Sequence, residues 1–135
     1  MRWSAVTFLS ALVLASSVLH DPINTSAGAA VAAPETVMIT LRAKAGQEAQ
    51  LAAVLAQHWT TVRTLNLATP DHLTLRGAER DGKTFFVEVM TWRDASIPDA
   101  APAEIQAIWN QMQQLVEARD GHVGLEIVEM TVVHK

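Results

Sequence analysis

His72-Leu73-Thr74-Leu75-Arg76 and Thr84-Phe85-Phe86-Val87-Glu88-Val89-Met90-Thr91-Trp92, joined across Asp81-Gly82, decide the fold. The first stretch alternates, with Leu73 and Leu75 on one side, as an antiparallel strand does. The second is rich in aromatic and β-branched residues and apolar on both faces, which marks a strand near the centre of a sheet. Asp81-Gly82 between them predicts a two-residue hairpin of type I′, whose central positions both need positive φ.

Upstream, Thr36 to Ala43 reads as another strand. Val37, Ile39, Leu41 and Ala43 point one way, and Met38, Thr40 and Arg42 the other. Lys44-Ala45-Gly46 breaks it, and from Gln47 the apolar period becomes helical: Leu51, Leu55, Trp59 and Val62, widened by Val54 and His58. The helix should fade near Leu65 to Ala68, and Pro70 closes the connection. Downstream, Arg93 to Ala101 reads as a loop. Pro102 suits a first helical turn, where its missing N–H costs nothing. Ile105, Ile108, Trp109, Met112, Leu115 and Val116 form the second stripe. Gly121 and Gly124 lead into a last strand, Leu125 to Val133.

The order is β-α-β-β-α-β, an α+β chain. Two right-handed βαβ halves joined by a hairpin give a ferredoxin-like antiparallel sheet in the order 4-1-3-2, with both helices on one face. Strand alternation assigns to the other face Met38, Thr40 and Arg42, then His72, Thr74 and Arg76, then Phe86, Glu88, Met90 and Trp92, and finally Glu126, Val128, Met130 and Val132. An apolar sheet face of that size calls for a partner, and a homodimer with its two sheets face to face supplies one.

Half of the 135 residues are hydrophobic, enough for one core, and the net charge of −4 argues against nucleic acid. With no cysteine, disulfides, thiolate metal sites and a cysteine nucleophile are excluded. Residues 1–32 have the layout of a signal peptide: Arg2, an apolar run from Ala5 to Leu19, a polar stretch, then small residues. Ala30-Val31-Ala32 is the preferred cleavage site and Ala27-Gly28-Ala29 the alternative. The apolar run is short for a span of about 20 residues, although an uncleaved anchor stays open. Residues 33–135 are then the domain, and the expected location is periplasmic or extracellular.

The opening strand running into Ala43-Lys44-Ala45-Gly46-Gln47-Glu48, the hairpin at Asp81-Gly82, and the strand end Glu88-Val89-Met90-Thr91-Trp92-Arg93-Asp94 resemble the antibiotic biosynthesis monooxygenase family of the dimeric α/β barrel superfamily. The resemblance spans residues 36–133. It implies a dimer of ferredoxin-like units with a pocket between sheet and helices. It also implies, for some members, oxygenation of polycyclic aromatic substrates without metal or flavin. Other members are similar to haem-degrading monooxygenases, which use an asparagine, a tryptophan and a histidine around the haem. Here the first strand carries no asparagine, the second helix offers Trp109 and Asn110 but no histidine, and the chain has no tyrosine. These departures argue against haem degradation and leave any tyrosine role vacant.

Glu88, in a central strand, must be paired or protonated if buried, and Arg42 and Arg76 on the neighbouring strands are its expected partners. It reads either as a general base or as an interface ion pair. His72 is the other candidate base, or a solvated edge residue. Arg42, Arg76 and Trp92 are the candidate substrate contacts, with Trp92 packing a small aromatic molecule. His58, Trp59 and Trp109 fit the helix stripes as packing residues, and Asn66 reads as a cap or turn. The five histidines show no metal-ligand spacing, and no phosphate-loop, dinucleotide or Gly-x-Ser-x-Gly motif is present. No cofactor or metal is expected. The two readings of function are a cofactor-independent monooxygenase and a non-catalytic binding or dimerisation module.

Overall fold

The computed structural model describes residues 30–134. The expected leader lies outside the described residues, except for its last three positions. The elements are β1 (Glu35–Arg42), α1 (Glu48–Thr64), β2 (Ala68–Ala78), β3 (Thr84–Trp92), a 3-10 turn (Ile97–Ala100), α2 (Ala103–Leu115) and β4 (Leu125–Met130). The strands form one antiparallel sheet in the order β2-β3-β1-β4. This is the expected ferredoxin-like α+β arrangement. No helix among the described residues is long and apolar enough to cross a membrane.

Local chemistry sets the element ends. α1 closes in a Schellman motif: Asn66 takes the left-handed conformation at φ 57. Its N–H then donates to the Arg63 carbonyl at 3.0 Å, and the Leu67 N–H to that of Val62 at 2.9 Å. Asparagine is among the few residues that tolerate this cap, and it turns the chain directly into β2. That strand is longer than the sequence suggests, beginning at Ala68 and passing a register irregularity before His72.

The central hairpin differs from expectation in its turn. Only Gly82 has positive φ, at 83, and Asp81 does not. The Gly82 N–H donates to the Glu79 carbonyl at 2.9 Å, and the Glu79 N–H to that of Lys83 at 2.8 Å. This is a type I turn followed by a left-handed glycine bulge, not a type I′ turn. Asp81 completes it by accepting the Lys83 N–H at 3.0 Å.

The larger correction concerns which face is which. In β1, Val37, Ile39 and Leu41 are buried under the helices, as the alternation predicts. Pairing puts Ile39 opposite Glu88 and Met38 opposite Val89. Phe86, Glu88, Met90 and Trp92 therefore face the helices, and Phe85, Val87, Val89 and Thr91 face away. Since His72 pairs with Met90, Thr74 with Glu88 and Arg76 with Phe86, these three also lie on the helix side. The expected bare face was right for β1 and β4 and inverted for β2 and β3.

The core between sheet and helices is built from Val37, Ile39 and Leu41 of β1, Leu51, Val54, Leu55 and Val62 of α1, Phe86, Met90 and Trp92 of β3, and Ile105, Ile108, Met112 and Leu115 of α2. Each fully buried leucine or isoleucine contributes about 1.5–3 kcal/mol. The uncovered face presents Leu73 and Leu75, about half exposed, with Val128 and Met130. Met38, Val87 and Val89 lie between them, half-buried by their neighbours.

Candidate functional site

Inside the apolar core runs a line of polar side chains drawn from both helices and two strands. Glu88 of β3 and His58 of α1 have no exposed surface. Position 58 falls in the middle of the buried stripe of α1, between Val54 and Val62, so the helix drives its imidazole straight into the sheet. His58 Nδ1 lies 3.2 Å from Glu88 Oε2, and His72 Nε2 of β2 lies 2.9 Å from Glu88 Oε1. Trp109 of α2 donates its indole N–H to His58 Nε2 at 3.2 Å.

Donor and acceptor rules fix the proton on His58. An indole N–H can only donate, so His58 Nε2 accepts. The His58 proton is then on Nδ1, and it is donated to Glu88. An ionised Glu88 accepts from a histidine at each oxygen, which satisfies a buried carboxylate that would otherwise cost several kcal/mol. His72, donating from Nε2, carries its lone pair on Nδ1. The hydroxyl of Thr74 is 3.1 Å from the same Nε2.

Aromatic rings frame the line. Trp59 stacks on His72 with centroids 3.8 Å apart and planes within 5°, and the Arg63 guanidinium lies 5.7 Å over the Trp59 ring. Trp92 meets both His58 and Trp109 edge to face at 6.3 Å. The His72 side chain keeps 17% of its surface in solvent, against none for Glu88. Of the two histidines that hold Glu88, His72 is therefore the one a solute can touch.

Of the residues singled out from sequence, the structure brings Glu88 and His72 into direct contact and separates the rest. Arg42 is on the opposite side of the sheet, so it cannot be the partner of Glu88. It is bound to Glu126 at 3.2 Å and to the Val123 carbonyl at 2.7 Å. Arg76 shares the helix-side face but reaches Thr84 Oγ1 at 3.4 Å and not Glu88, so the expected arginine–glutamate pairs are replaced by two histidines. Trp92 is 2% exposed and offers no open ring face. His58 and Trp109, read from sequence as packing residues, belong to the network.

A second polar cluster lies on the uncovered face at the hairpin end. Arg119 is buried and donates to the Ala43 and Thr84 carbonyls at 3.2 and 2.8 Å and to Glu79 at 3.3 Å. Beside it opens a cleft of about 700 Å³, lined by Thr40, Arg42, Glu79, Asp81, Phe85 and His122 among others. Neither Glu88 nor His72 reaches it. Among the described residues, no three histidine or acidic side chains converge as metal ligands would.

No protein-family model matches the sequence, and no curated protein does. Solved structures do match. A variant of SnoaB, a cofactor-independent oxygenase from Streptomyces nogalater, is similar at a TM-score of 0.58 and 17% identity, over 77% of this chain and 97% of that one. Rv0793 from Mycobacterium tuberculosis is similar at 0.56 and 13% identity, over 76% and 98%. A candidate antibiotic biosynthesis monooxygenase from Deinococcus radiodurans is similar at 0.52 and 16% identity, over 75% and 94%. The fold is that of the antibiotic biosynthesis monooxygenase-like proteins. At these identities the likeness is one of fold, and the chemistry has to be argued from this chain's own residues.

Proposed function

We propose that this chain is an exported, homodimeric oxygenase of the antibiotic biosynthesis monooxygenase type. It would act without metal or flavin on a small aromatic molecule with an acidic C–H. The observation that carries the reading is the 2.9 Å contact between solvent-touched His72 and fully buried Glu88. A histidine oriented by a buried carboxylate is a general base with its tautomer set. Support for the oxygenase class comes from the shared fold with SnoaB. Export rests on the sequence of residues 1–32, and the homodimer on the uncovered apolar sheet face.

In the proposed reaction, His72 Nδ1 takes the substrate proton. Glu88 on one edge and the Trp59 face beneath the ring stabilise the resulting imidazolium. The substrate carbanion gives its electrons to dioxygen and forms a C–O bond. The peroxide takes the proton back from His72, and loss of water, made from its terminal OH and the second hydrogen of the same CH2 carbon, leaves a ketone. One oxygen atom stays in the product and the other leaves in water. Arg76 lies on the same strand face, about 13 Å along from His72, and would hold the anionic oxygen of a multi-ring substrate laid over β2. Glu88 is thus assigned to orienting the base, and the base itself is His72.

Oxygen uptake by the mature protein with a panel of anthrone-like polycyclic phenols tests this. Uptake should fall by about 100-fold or more in His72→Gln. No uptake above buffer with any of them, or uptake that His72→Gln leaves intact, overturns the reading. The cleft of about 700 Å³ favours a second one, a non-catalytic binding module, because that volume suits a small ligand. Ligand stabilisation that survives His72→Gln and is lost in Arg80→Ala with His122→Ala, both in the wall of that cleft, would favour the module.

A further inference from the structure

The proposed base accounts for His72 and Glu88 but not for His58, an imidazole without exposed surface placed deeper in the core. A buried histidine could be a packing residue whose nitrogens happen to find partners. The partners here have a direction. At one end is Trp109, which can only donate, 3.2 Å from His58 Nε2. At the other is a carboxylate oxygen, 3.2 Å from His58 Nδ1. Every bond between them must run the same way, from α2 through α1 to β3.

We infer that Trp109 and His58 form a one-way hydrogen-bond relay that positions Glu88 for His72. The inference rests on the proposed role of His72 as base, and it names two further positioning residues for that reaction. Neither touches the substrate. The indole N–H occupies His58 Nε2 and forces the proton onto Nδ1. The Nδ1–H holds Glu88 Oε2, which leaves Oε1 to meet His72 Nε2 at 2.9 Å. Edge-on contacts from Trp92 to both His58 and Trp109 keep the two rings from rotating out of line.

The alternative tautomer shows why Trp109 matters. With the proton on Nε2, the imidazole would meet the indole N–H donor to donor. It would also turn a bare Nδ1 lone pair toward a carboxylate oxygen. Two repulsive contacts in a dry core would push Glu88 away from His58 and disturb its bond to His72. Trp109→Phe keeps an aromatic ring at the site and removes the N–H together with part of the indole. His58→Asn keeps an N–H donor near the Nδ1 position, whereas His58→Leu keeps the bulk and removes both nitrogens.

The test is a long-range proton–nitrogen spectrum of the histidine rings in the full mature protein, which reads the tautomer without any substrate. His58 should be protonated at Nδ1 and bare at Nε2, and His72 should be protonated at Nε2. In Trp109→Phe, the His58 Nε2 resonance should shift as it loses its indole donor, and the His72 Nε2 proton should broaden or move. Where oxygen uptake is observed, Trp109→Phe should lower kcat about tenfold with KM changed less than about twofold. His58→Asn should recover much of what His58→Leu loses. A His58 protonated at Nε2 in the parent, or a Trp109→Phe spectrum unchanged at both histidines, overturns the relay. The spectra answer even if no substrate is turned over, so a failed relay and a failed oxygenase are separate results. His58→Asn and Trp109→Phe keep the question open to test if His58→Leu does not fold.

Discussion

The indole of Trp59 and the imidazole of His72 lie face to face, 3.8 Å apart and 5° from parallel. One comes from α1 and the other from the edge strand β2, so the stack joins helix to edge strand beside the candidate site. Trp59→Leu should cost about 2 kcal/mol by urea unfolding, less than a fully buried tryptophan because the ring is only partly buried. The ring-current shift on the His72 protons should vanish with it. Trp59→Phe should keep both. An unshifted His72 spectrum in Trp59→Leu would show that the stack does not exist in solution.

Glu88 separates two kinds of substitution. In Glu88→Gln the amide can still accept the His58 N–H with its oxygen, but its NH2 then faces His72 and demands an acceptor there. His72 has to move its proton to Nδ1, so the proposed base is lost while the fold survives at a cost of about 1–3 kcal/mol. Glu88→Leu leaves the His58 N–H without an acceptor in the core and should cost more. Urea midpoints for both, with the His72 tautomer in Glu88→Gln, check this. A Glu88→Leu protein as stable as the parent would mean that the network is not satisfied as described.

Much of the fold can be read in the chain because strand alternation, the helical stripes and the Gly82 turn all agree. What could not be read is the parity of β3. Phe85, Val87 and Val89 on one side are as apolar as Phe86, Met90 and Trp92 on the other, so alternation alone does not say which side meets the helices. Glu88 then looked like an interface charge with arginine partners, and His72, Thr74 and Arg76 of β2 were turned to the bare face with it. The signal that settles it lies in α1. His58 sits between Val54 and Val62 at the spacing of the most buried positions, and a polar group so placed requires a partner on the sheet face beneath it.

Gly77 pairs with Phe85 across the hairpin, and a Cβ on Gly77 would overlap the Phe85 ring. Gly77→Ala should therefore cost about 1–3 kcal/mol, and Phe85→Leu in the same chain should recover part of it. Thermal unfolding of the two single variants and the double variant measures the coupling. Strict additivity would show that the glycine is not there for the ring.

Asp94 gives a pH dependence with a defined sign. The Ser96 hydroxyl and backbone N–H donate to Oδ1 at 2.6 and 2.8 Å, and the Ala32 N–H to Oδ2 at 3.1 Å. These bonds, the Ser96 hydroxyl first, hold the Asp94 carboxyl below the ordinary aspartate range. A carboxylate with a depressed folded-state pKa adds stability above its unfolded value of about 3.9, and loses it as pH falls through the folded value. Asp94→Asn should therefore be less stable than the parent at pH 6. The gap in Tm should close as the pH is lowered from 4 toward 2. A gap that does not change with pH would assign the effect to packing instead of charge.

The uncovered sheet face carries the prediction about assembly. Leu73, Leu75, Val128 and Met130 are each more than two-fifths exposed there, while the half-buried Met38, Val87 and Val89 make the patch continuous across all four strands. A surface of this kind on an isolated domain would associate. The charged Arg42 and Glu126 at one end are already paired with each other at 3.2 Å, so they do not oppose burial. The mature domain should run as a dimer by size-exclusion with light scattering. Leu75→Arg combined with Val128→Glu should convert it to a monomer with an unchanged far-ultraviolet circular dichroism spectrum. Neither side chain touches the His58–Glu88–His72 network, which lies on the other face, so the histidine ring tautomers should be the same in the monomeric variant. A parent protein that is monomeric at tens of micromolar would overturn the dimer, and a double variant that still dimerises would move the interface to another surface.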